Sequence, residues 1–144
     1  MTSEVSDDPK RLDLDVIHGY LTRSYWSPGI PRETVARAIA NSLCFGVYAD
    51  DGAQVGFARL ITDRATYAYL ADVFVLEDHR GKGLSKLLME TIVAHPEVQG
   101  LRRWTLATRD AHALYARYGF TPIAKPDRLM ERHDPDVYAR FTPR

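Results

Sequence analysis

Apolar residues recur at two different periods along this chain of 144 residues, and the change of period separates predicted helices from predicted strands. In the first forty residues they fall three or four positions apart, which predicts one helix around Leu14–Leu21 and a second from Pro31 onward. Between 43 and 76 they form longer runs separated by short polar turns. These runs predict three successive strands, 43–49, 55–61 and 67–76, joined as an antiparallel meander.

The second half of the chain alternates predicted helices and strands. A helix over about 81–95 places its apolar side chains on one face: Leu84, Leu87, Leu88 and Ile92. A strand over 104–107, a helix over 110–118 and a last strand over 120–124 follow. A strand, a helix and a strand in succession predict a parallel, right-handed crossover. The pattern therefore indicates an α/β (α+β) fold, a mixed and mostly antiparallel sheet with helices on its faces.

Length and charge narrow the class of protein. The chain fits one domain, 1–144, in which the polar segment 1–11 is predicted to be a loose tail. Nineteen basic and nineteen acidic residues give a net charge of +0, so neither nucleic acid nor an anionic membrane is an expected partner. No apolar run approaches the roughly 20 residues of a membrane span. A cytoplasmic location is expected.

Metal and thiol chemistry are not predicted either. The five histidines are scattered, so no metal site is expected. The one cysteine, Cys44, stands among apolar residues, which favours a buried core thiol over a functional one.

A glycine-rich basic turn, Arg80-Gly81-Lys82-Gly83-Leu84-Ser85, joins a predicted strand to a predicted helix. Glycines allow close backbone approach to an anion, and the amides at a helix start point toward it. The spacing fits neither a P-loop nor a dinucleotide fingerprint. A tight turn with solvated lysines remains the alternative.

A second motif is Leu114-Tyr115-Ala116-Arg117-Tyr118-Gly119-Phe120, a helix end capped by glycine and followed by a strand. Tyr115 lies one turn before that end. By itself it is as well explained as a packed aromatic residue.

Together, the two motifs resemble the GNAT superfamily of acyl-CoA-dependent N-acetyltransferases, over about 43–124. The resemblance implies a sheet of about six strands flanked by about four helices. It also implies that the turn holds the pyrophosphate of acetyl-CoA and that strand backbone pairs with the pantetheine arm. Ser85 stands where the family has Gly or Ala, and Thr108 where it commonly has Asn. The residues so assigned to the cofactor are Val73, Phe74, Val75, Arg80, Gly81, Lys82, Gly83, Leu84, Ser85 and Thr108.

The resemblance makes Tyr115 the general acid that protonates the departing CoA thiolate. Asp72 is a candidate base, because many relatives carry a Glu on this strand, or else a structural carboxylate bonded to a loop or to Arg59. Strand alternation puts Asp72 and Phe74 on one face and Ala71, Val73 and Val75 on the other. Three residues are assigned to the acceptor amine, from a wider group that also includes Tyr20 and Tyr67: Tyr25, Trp26 and Arg59.

The expected function is transfer of an acetyl group from acetyl-CoA to a primary amine, a small molecule or a peptide, in a ternary complex without a metal. Two alternatives remain, a non-catalytic acyl-CoA-binding module and a nucleotide-binding or interaction domain. The protein is expected to be a monomer or a homodimer.

Overall fold

One five-stranded sheet organises the part of the chain that the computed structural model describes, residues 3–140. Its strands lie side by side in chain order: β1 (Glu4–Ser6), β2 (Leu43–Tyr48), β3 (Gln54–Thr62), β4 (Tyr67–Val75) and β5 (Arg103–Leu106). Neighbouring strands are antiparallel from β1 to β4, whereas β4 and β5 are parallel. The predicted meander and the parallel crossover are both confirmed.

The helices cover both faces of the sheet. They are α1 (Leu14–Leu21), α2 (Arg32–Ala40), α3 (Leu84–Val93) and α4 (His112–Ala116). One core lies between the sheet and α3, and it includes Phe45 and Leu88; the other lies beneath α1 and α2, and it includes Cys44. Adjacent residues of β2 thus enter opposite cores, as the pleat of a strand requires. Within residues 3–140, none of the helices is long and apolar enough to cross a membrane.

The edges of the sheet differ from the prediction. Five strands are found in the described residues instead of about six, and 120–124 is not a strand. Pro122 has no backbone N–H to donate to a ladder, which disfavours a strand there. The supposed loose tail instead contributes β1, whose Val5 packs against the core, and Asp7 accepts a 2.8 Å hydrogen bond from His95. A three-residue strand with one apolar side chain gives almost no sequence signal.

A β-bulge interrupts β4 at Asp72. Arg59 of β3 pairs with Ala71, and Phe57 pairs with Phe74, so β4 carries one residue more than β3 between these pairs. Asp72 has a φ of 57°, in the left-handed region that Asp and Asn adopt more readily than most residues. The bulge shifts the phase of the side chains along β4.

The faces predicted for β4 are therefore only partly right. As predicted, Asp72 and Phe74 share one face of β4 and Val75 lies on the other. Phe74 packs beneath α1 and α2, Asp72 contacts the loop that joins those helices, and Val75 lies in the core of α3. Ala71 was predicted to share the face of Val75. It lies instead opposite Arg59, on the side of α1 and α2, because the extra residue at the bulge breaks strict alternation.

Candidate active site

A gap opens between β4 and β5 where their pairing ends. The ladder joins Tyr67–Leu70 to Arg103–Leu106, so within residues 3–140 the rest of β4 has no strand neighbour on that side. A cavity of about 1140 Å³ occupies this region. Most of the residues that the sequence assigned to the site line it: Tyr25, Trp26, Arg59, Asp72, Val73, Phe74, Val75, Arg80, Ser85, Thr108 and Tyr115.

Backbone groups of β4 face this gap. Leu76 donates its N–H to Val55 of β3 at 2.8 Å. Successive residues of a strand point their N–H and C=O groups to opposite sides, so Val75 and Val73 turn theirs away from β3 and toward the gap. An extended ligand could therefore pair with this edge like an added strand.

The two ends of the glycine-rich turn, Arg80 and Ser85, line the cavity, whereas the predicted site residues between them, 81–84, are not part of its lining. Gly81 and Gly83 both have a φ of 77°, which only glycine adopts readily. Gly83 directly precedes α3, and its carbonyl accepts the first helical hydrogen bond, from Leu87. The amides of the first turn therefore have no partner within the helix and can bind an anion. The side chain of Leu84 is buried in the core, so at this position only the backbone amide can take part.

The turn needs glycine at position 83 for conformation and not for space. A Cβ added to Gly83 would meet nothing within 4 Å, so Gly83→Ala is expected to destabilise the protein by about 1–2 kcal/mol through backbone strain alone. Gly19, which also has open space around it but lies inside α1, provides the matched control. Gly19→Ala is expected to stabilise by up to about 1 kcal/mol. Urea denaturation measures both, and equal effects would contradict the assignment of strain to the turn.

Arg80 is anchored at the end of β4. Its Nε donates to the carbonyl of Val75 and its Nη2 to the hydroxyl of Tyr20, both at 3.0 Å. The guanidinium thus ties β4 to α1 and occupies the Val75 carbonyl, which leaves the Val75 N–H and both backbone groups of Val73 for a ligand. These contacts could not be foreseen from the turn motif.

Asp72 is held by two donors. Arg59 Nε lies 2.9 Å from its Oδ2, and Trp26 Nε1 lies 3.0 Å from its Oδ1. Its side chain is only 9% exposed, and Arg59 donates further to Ser42. Both carboxylate oxygens are thus engaged by side chains of other segments, a guanidinium on β3 and an indole on the loop between α1 and α2. The geometry favours the structural alternative for Asp72, which holds the loop between α1 and α2 against the bulge through Trp26.

Tyr115 is buried on α4 and reaches the cavity. Burial raises the pKa of its phenol, and the nearby Tyr25 and Asp110 raise it further. The phenol is therefore protonated throughout the neutral range and can donate a hydrogen bond or a proton. Thr108 supports this helix, since its hydroxyl accepts from the N–H of Ala111 at 3.0 Å.

An aromatic wall stands beside Tyr115. Tyr25 and Trp26, from the loop between α1 and α2, are both partly exposed and lie edge to face with their ring centroids 5.0 Å apart. Tyr69, which was not predicted, also lines the cavity, and so does Arg109, the neighbour of Thr108. Tyr69 could have been predicted, because it lies two residues before Ala71 on β4 and residues two apart in a strand share a face. The position of Arg109 depends on the course of a loop.

Other candidates lie outside the cavity. The hydroxyl of Tyr67 forms a hydrogen bond with Thr105 across the β4–β5 ladder, away from the gap. Burial raises the pKa of the Cys44 thiol to about 12, so a thiolate nucleophile is absent near neutral pH. Among residues 3–140, no group of three or more His, Cys, Asp or Glu is placed to hold a metal ion.

A smaller cavity of about 660 Å³ lies along the outer side of β5. It is lined by the end of α3 and by part of the C-terminal segment after α4, including Phe120 and Leu129. It contains none of the residues that the sequence assigned to catalysis or binding.

Comparison with known proteins supports this fold and identifies a family. Residues 41–122 match the model of the acetyltransferase (GNAT) domain. A Gibberella zeae protein named "Putative acetyltransferase" is 30% identical over 135 residues, covering 78% of this chain and 75% of that protein. The crystal structure of a GNAT-family protein from Xanthomonas campestris pv. campestris is 55% identical, with a TM-score of 0.93 over 96% of this chain and 98% of that one. The chain belongs to the GNAT acetyltransferase family, as the two sequence motifs predicted.

The fold is also shared with a protein from Clostridium acetobutylicum whose crystal structure was determined with acetyl-CoA. That structure is 14% identical, with a TM-score of 0.64 over 92% of this chain and 95% of that one. At this identity the likeness concerns the fold alone.

Proposed function

We propose that this protein is an N-acetyltransferase that moves an acetyl group from acetyl-CoA to a primary amine by direct attack in a ternary complex. The observation that carries the proposal is the gap beyond Leu70, where the open edge of β4, the first turn of α3 and Tyr115 surround one cavity. The fold shared with a protein determined with acetyl-CoA supports the choice of donor.

The residues of this chain have distinct roles in the proposed reaction. The amides of the first turn of α3 and the positive charge of Lys82 hold the pyrophosphate, while the backbone of Val73 and Val75 aligns the pantetheine arm. Acetyl-CoA supplies an acetyl thioester. The amine nitrogen bonds to its carbonyl carbon, the carbon–sulfur bond breaks, and the amine proton leaves to solvent. Tyr115 gives its proton to the departing sulfur and regains one from solvent.

We also propose that residues 1–144 act as a single catalytic domain. The two cores share one sheet, and the cavity draws its lining from both the α1–α2 loop and the β5–α4 loop. Separation of either half would divide the site.

Ligand-dependent stability and product release test the function together. Acetyl-CoA is expected to raise the Tm more than ATP does, because only a state that binds the ligand is stabilised by it. CoA release with a panel of primary amines then separates an enzyme from a passive binding module, and the buried Cys44 thiol will not interfere with thiol reagents. Stabilisation by ATP alone would contradict the proposal. Binding of acetyl-CoA without release by any amine would favour the non-catalytic module.

A further inference from the structure

A continuous row of side chains crosses the acceptor side of the cavity. Its members are Arg23, Tyr20, Trp26, Tyr25 and Arg109, all of which line the cavity. The guanidinium of Arg23 lies 5.1 Å from the ring centroid of Tyr20, and that of Arg109 lies 3.8 Å from the centroid of Tyr25. The ring centroids of Tyr20 and Trp26 are 6.2 Å apart. The row is therefore a stretch of three aromatic rings with a cation at each end.

The two end cations are not neutralised by ion pairs. Among residues 3–140, neither Arg23 nor Arg109 forms an ion pair, whereas Arg59, deeper in the site, is neutralised by Asp72. The remaining carboxylates of the cavity lining are Glu77, which follows β4, and Asp110, beside Arg109. Arg23 donates through Nη1 to the carbonyl of Gly19 at 2.9 Å, so its N–H edge is partly engaged. The guanidinium of Arg109, which lies on the face of Tyr25, presents an N–H edge that matches the oxygens of carboxylate and phosphate.

Of the two end cations, Arg109 is the one closer to Tyr115, the proposed general acid. It packs on Tyr25, which lies near enough to Tyr115 to contribute to the raised pKa of that phenol. An acceptor whose amine is presented near Tyr115 would place a neighbouring substituent against Tyr25 and Arg109. Arg23, at the far end of the row, would repel a second positive charge.

We infer that the acceptor is a small primary amine that also carries an anionic group, a carboxylate or a phosphate, which Arg109 binds. The apolar part of such an acceptor lies along Tyr25 and Trp26. Arg109 is then a specificity-determining residue, and polyamines are poor acceptors. This inference rests on the proposed acetyl transfer and names the acceptor class of that same site.

Matched pairs of amines test the acceptor class. Phenylalanine is compared with phenylalaninamide, and 2-aminoethyl phosphate with 2-aminoethanol, with spermidine as a polycation; CoA release is measured for each. At least one anionic member is expected to exceed its neutral partner in kcat/KM about tenfold or more, the usual scale for a hydrogen bond to a charged group. The amide has the less basic amine and so more of the reactive neutral form. A preference for the amino acid must therefore come from binding.

Substitution of Arg109 tests the assignment within the same pairs. Arg109→Gln is expected to raise KM for the preferred anionic amine about tenfold, to leave kcat/KM for its neutral partner within about twofold, and to leave acetyl-CoA affinity unchanged. Arg109→Lys keeps the charge and is expected to restore part of the loss. Arg37→Gln, on the exposed surface of α2, is the control and is expected to change neither member of a pair.

The outcomes distinguish failure of the proposed acceptor class from failure of the proposed acetyl transfer. If neutral amines or spermidine are acetylated as well as the anionic ones, or if Arg109→Gln affects both members of a pair equally, the acceptor class is wrong and acetyl transfer stands. Weakened acetyl-CoA binding in Arg109→Gln would assign Arg109 to the donor instead. Failure of the wild-type protein to bind acetyl-CoA would overturn the proposed function itself.

Discussion

Tyr115→Phe is expected to lower kcat by about a hundredfold or more, the scale of general acid catalysis, with acetyl-CoA affinity changed less than about threefold. The substitution removes one oxygen from a buried ring and leaves its packing against Phe120 intact. The substitution removes only the proposed proton donor to the departing sulfur, so kcat is expected to fall while binding is kept. Steady-state CoA release and calorimetric titration of acetyl-CoA measure the two quantities.

Tyr118→Phe is the matched control for that experiment. Tyr118 follows α4 by two residues, and its hydroxyl makes only a long contact, 3.4 Å, to the carbonyl of Lys86, outside the larger cavity. Loss of this hydroxyl is expected to change kcat less than about twofold. Equal activity of Tyr115→Phe and the wild-type protein would remove Tyr115 from the mechanism.

The alkaline limb of the pH profile gives a second check on Tyr115. Burial favours the neutral phenol, so the pKa of Tyr115 lies above its ordinary value of about 10. The phenol of Tyr115 therefore stays protonated up to about pH 9, and no loss of kcat from its ionisation is expected below that pH. A group with a raised pKa loses its proton in the unfolded state first, so its contribution to stability falls as pH rises above about 10.

Asp72→Ala is expected to lower the free energy of unfolding by about 3 kcal/mol, the usual loss when one member of a buried ion pair is removed. Arg59, with a side chain 18% exposed, would lose its carboxylate, and Trp26 would lose its acceptor. Alanine at a φ of 57° adds strain. Thermal and urea denaturation measure the loss.

Asp72→Asn separates the structural role of Asp72 from its predicted role as a base. Asparagine tolerates the left-handed backbone and can still accept from Trp26, but it cannot take a proton. If Asp72 holds the acceptor loop, this variant keeps most of its turnover and loses less stability than the alanine variant. If Asp72 is the base, turnover falls about a hundredfold or more while the fold is kept.

A double substitution checks the pairing itself. Arg59→Gln with Asp72→Asn removes both charges, and the loss of stability is expected to be smaller than the sum of the two single losses. Additive losses would contradict an energetic coupling between these side chains.

Much of the site could be predicted because its chemistry is local in sequence. Gly81 and Gly83 indicate a backbone turn before a helix, and Gly119 indicates the end of the helix that carries Tyr115. Both predictions depend only on φ preferences and helix caps. The meander followed by a parallel crossover also depends on short-range turns and apolar spacing. These features were confirmed in position and order.

The features that failed depend on contacts between distant segments. The bulge at Asp72 moved Ala71 to the other face of β4, and no residue beside it signals an inserted position. The edge strand β1 exists because β2 offers an open ladder and Asp7 bonds to His95, far along the chain. In each case the deciding partner lies on another segment, 13 residues away for Asp72 and Arg59 and 88 residues away for Asp7 and His95.

The sequence by itself determined the family, the order of the elements from α1 to α4 and the two motifs on which the proposed donor site and acid depend. Only the tertiary structure decided how the side chains of the site are used: Arg80 bonded to Val75 and Tyr20, and Asp72 shared by Arg59 and Trp26. Backbone conformation follows from neighbouring residues, which a sequence displays. Hydrogen bonds and charge pairing follow from distances between side chains, which only the fold sets.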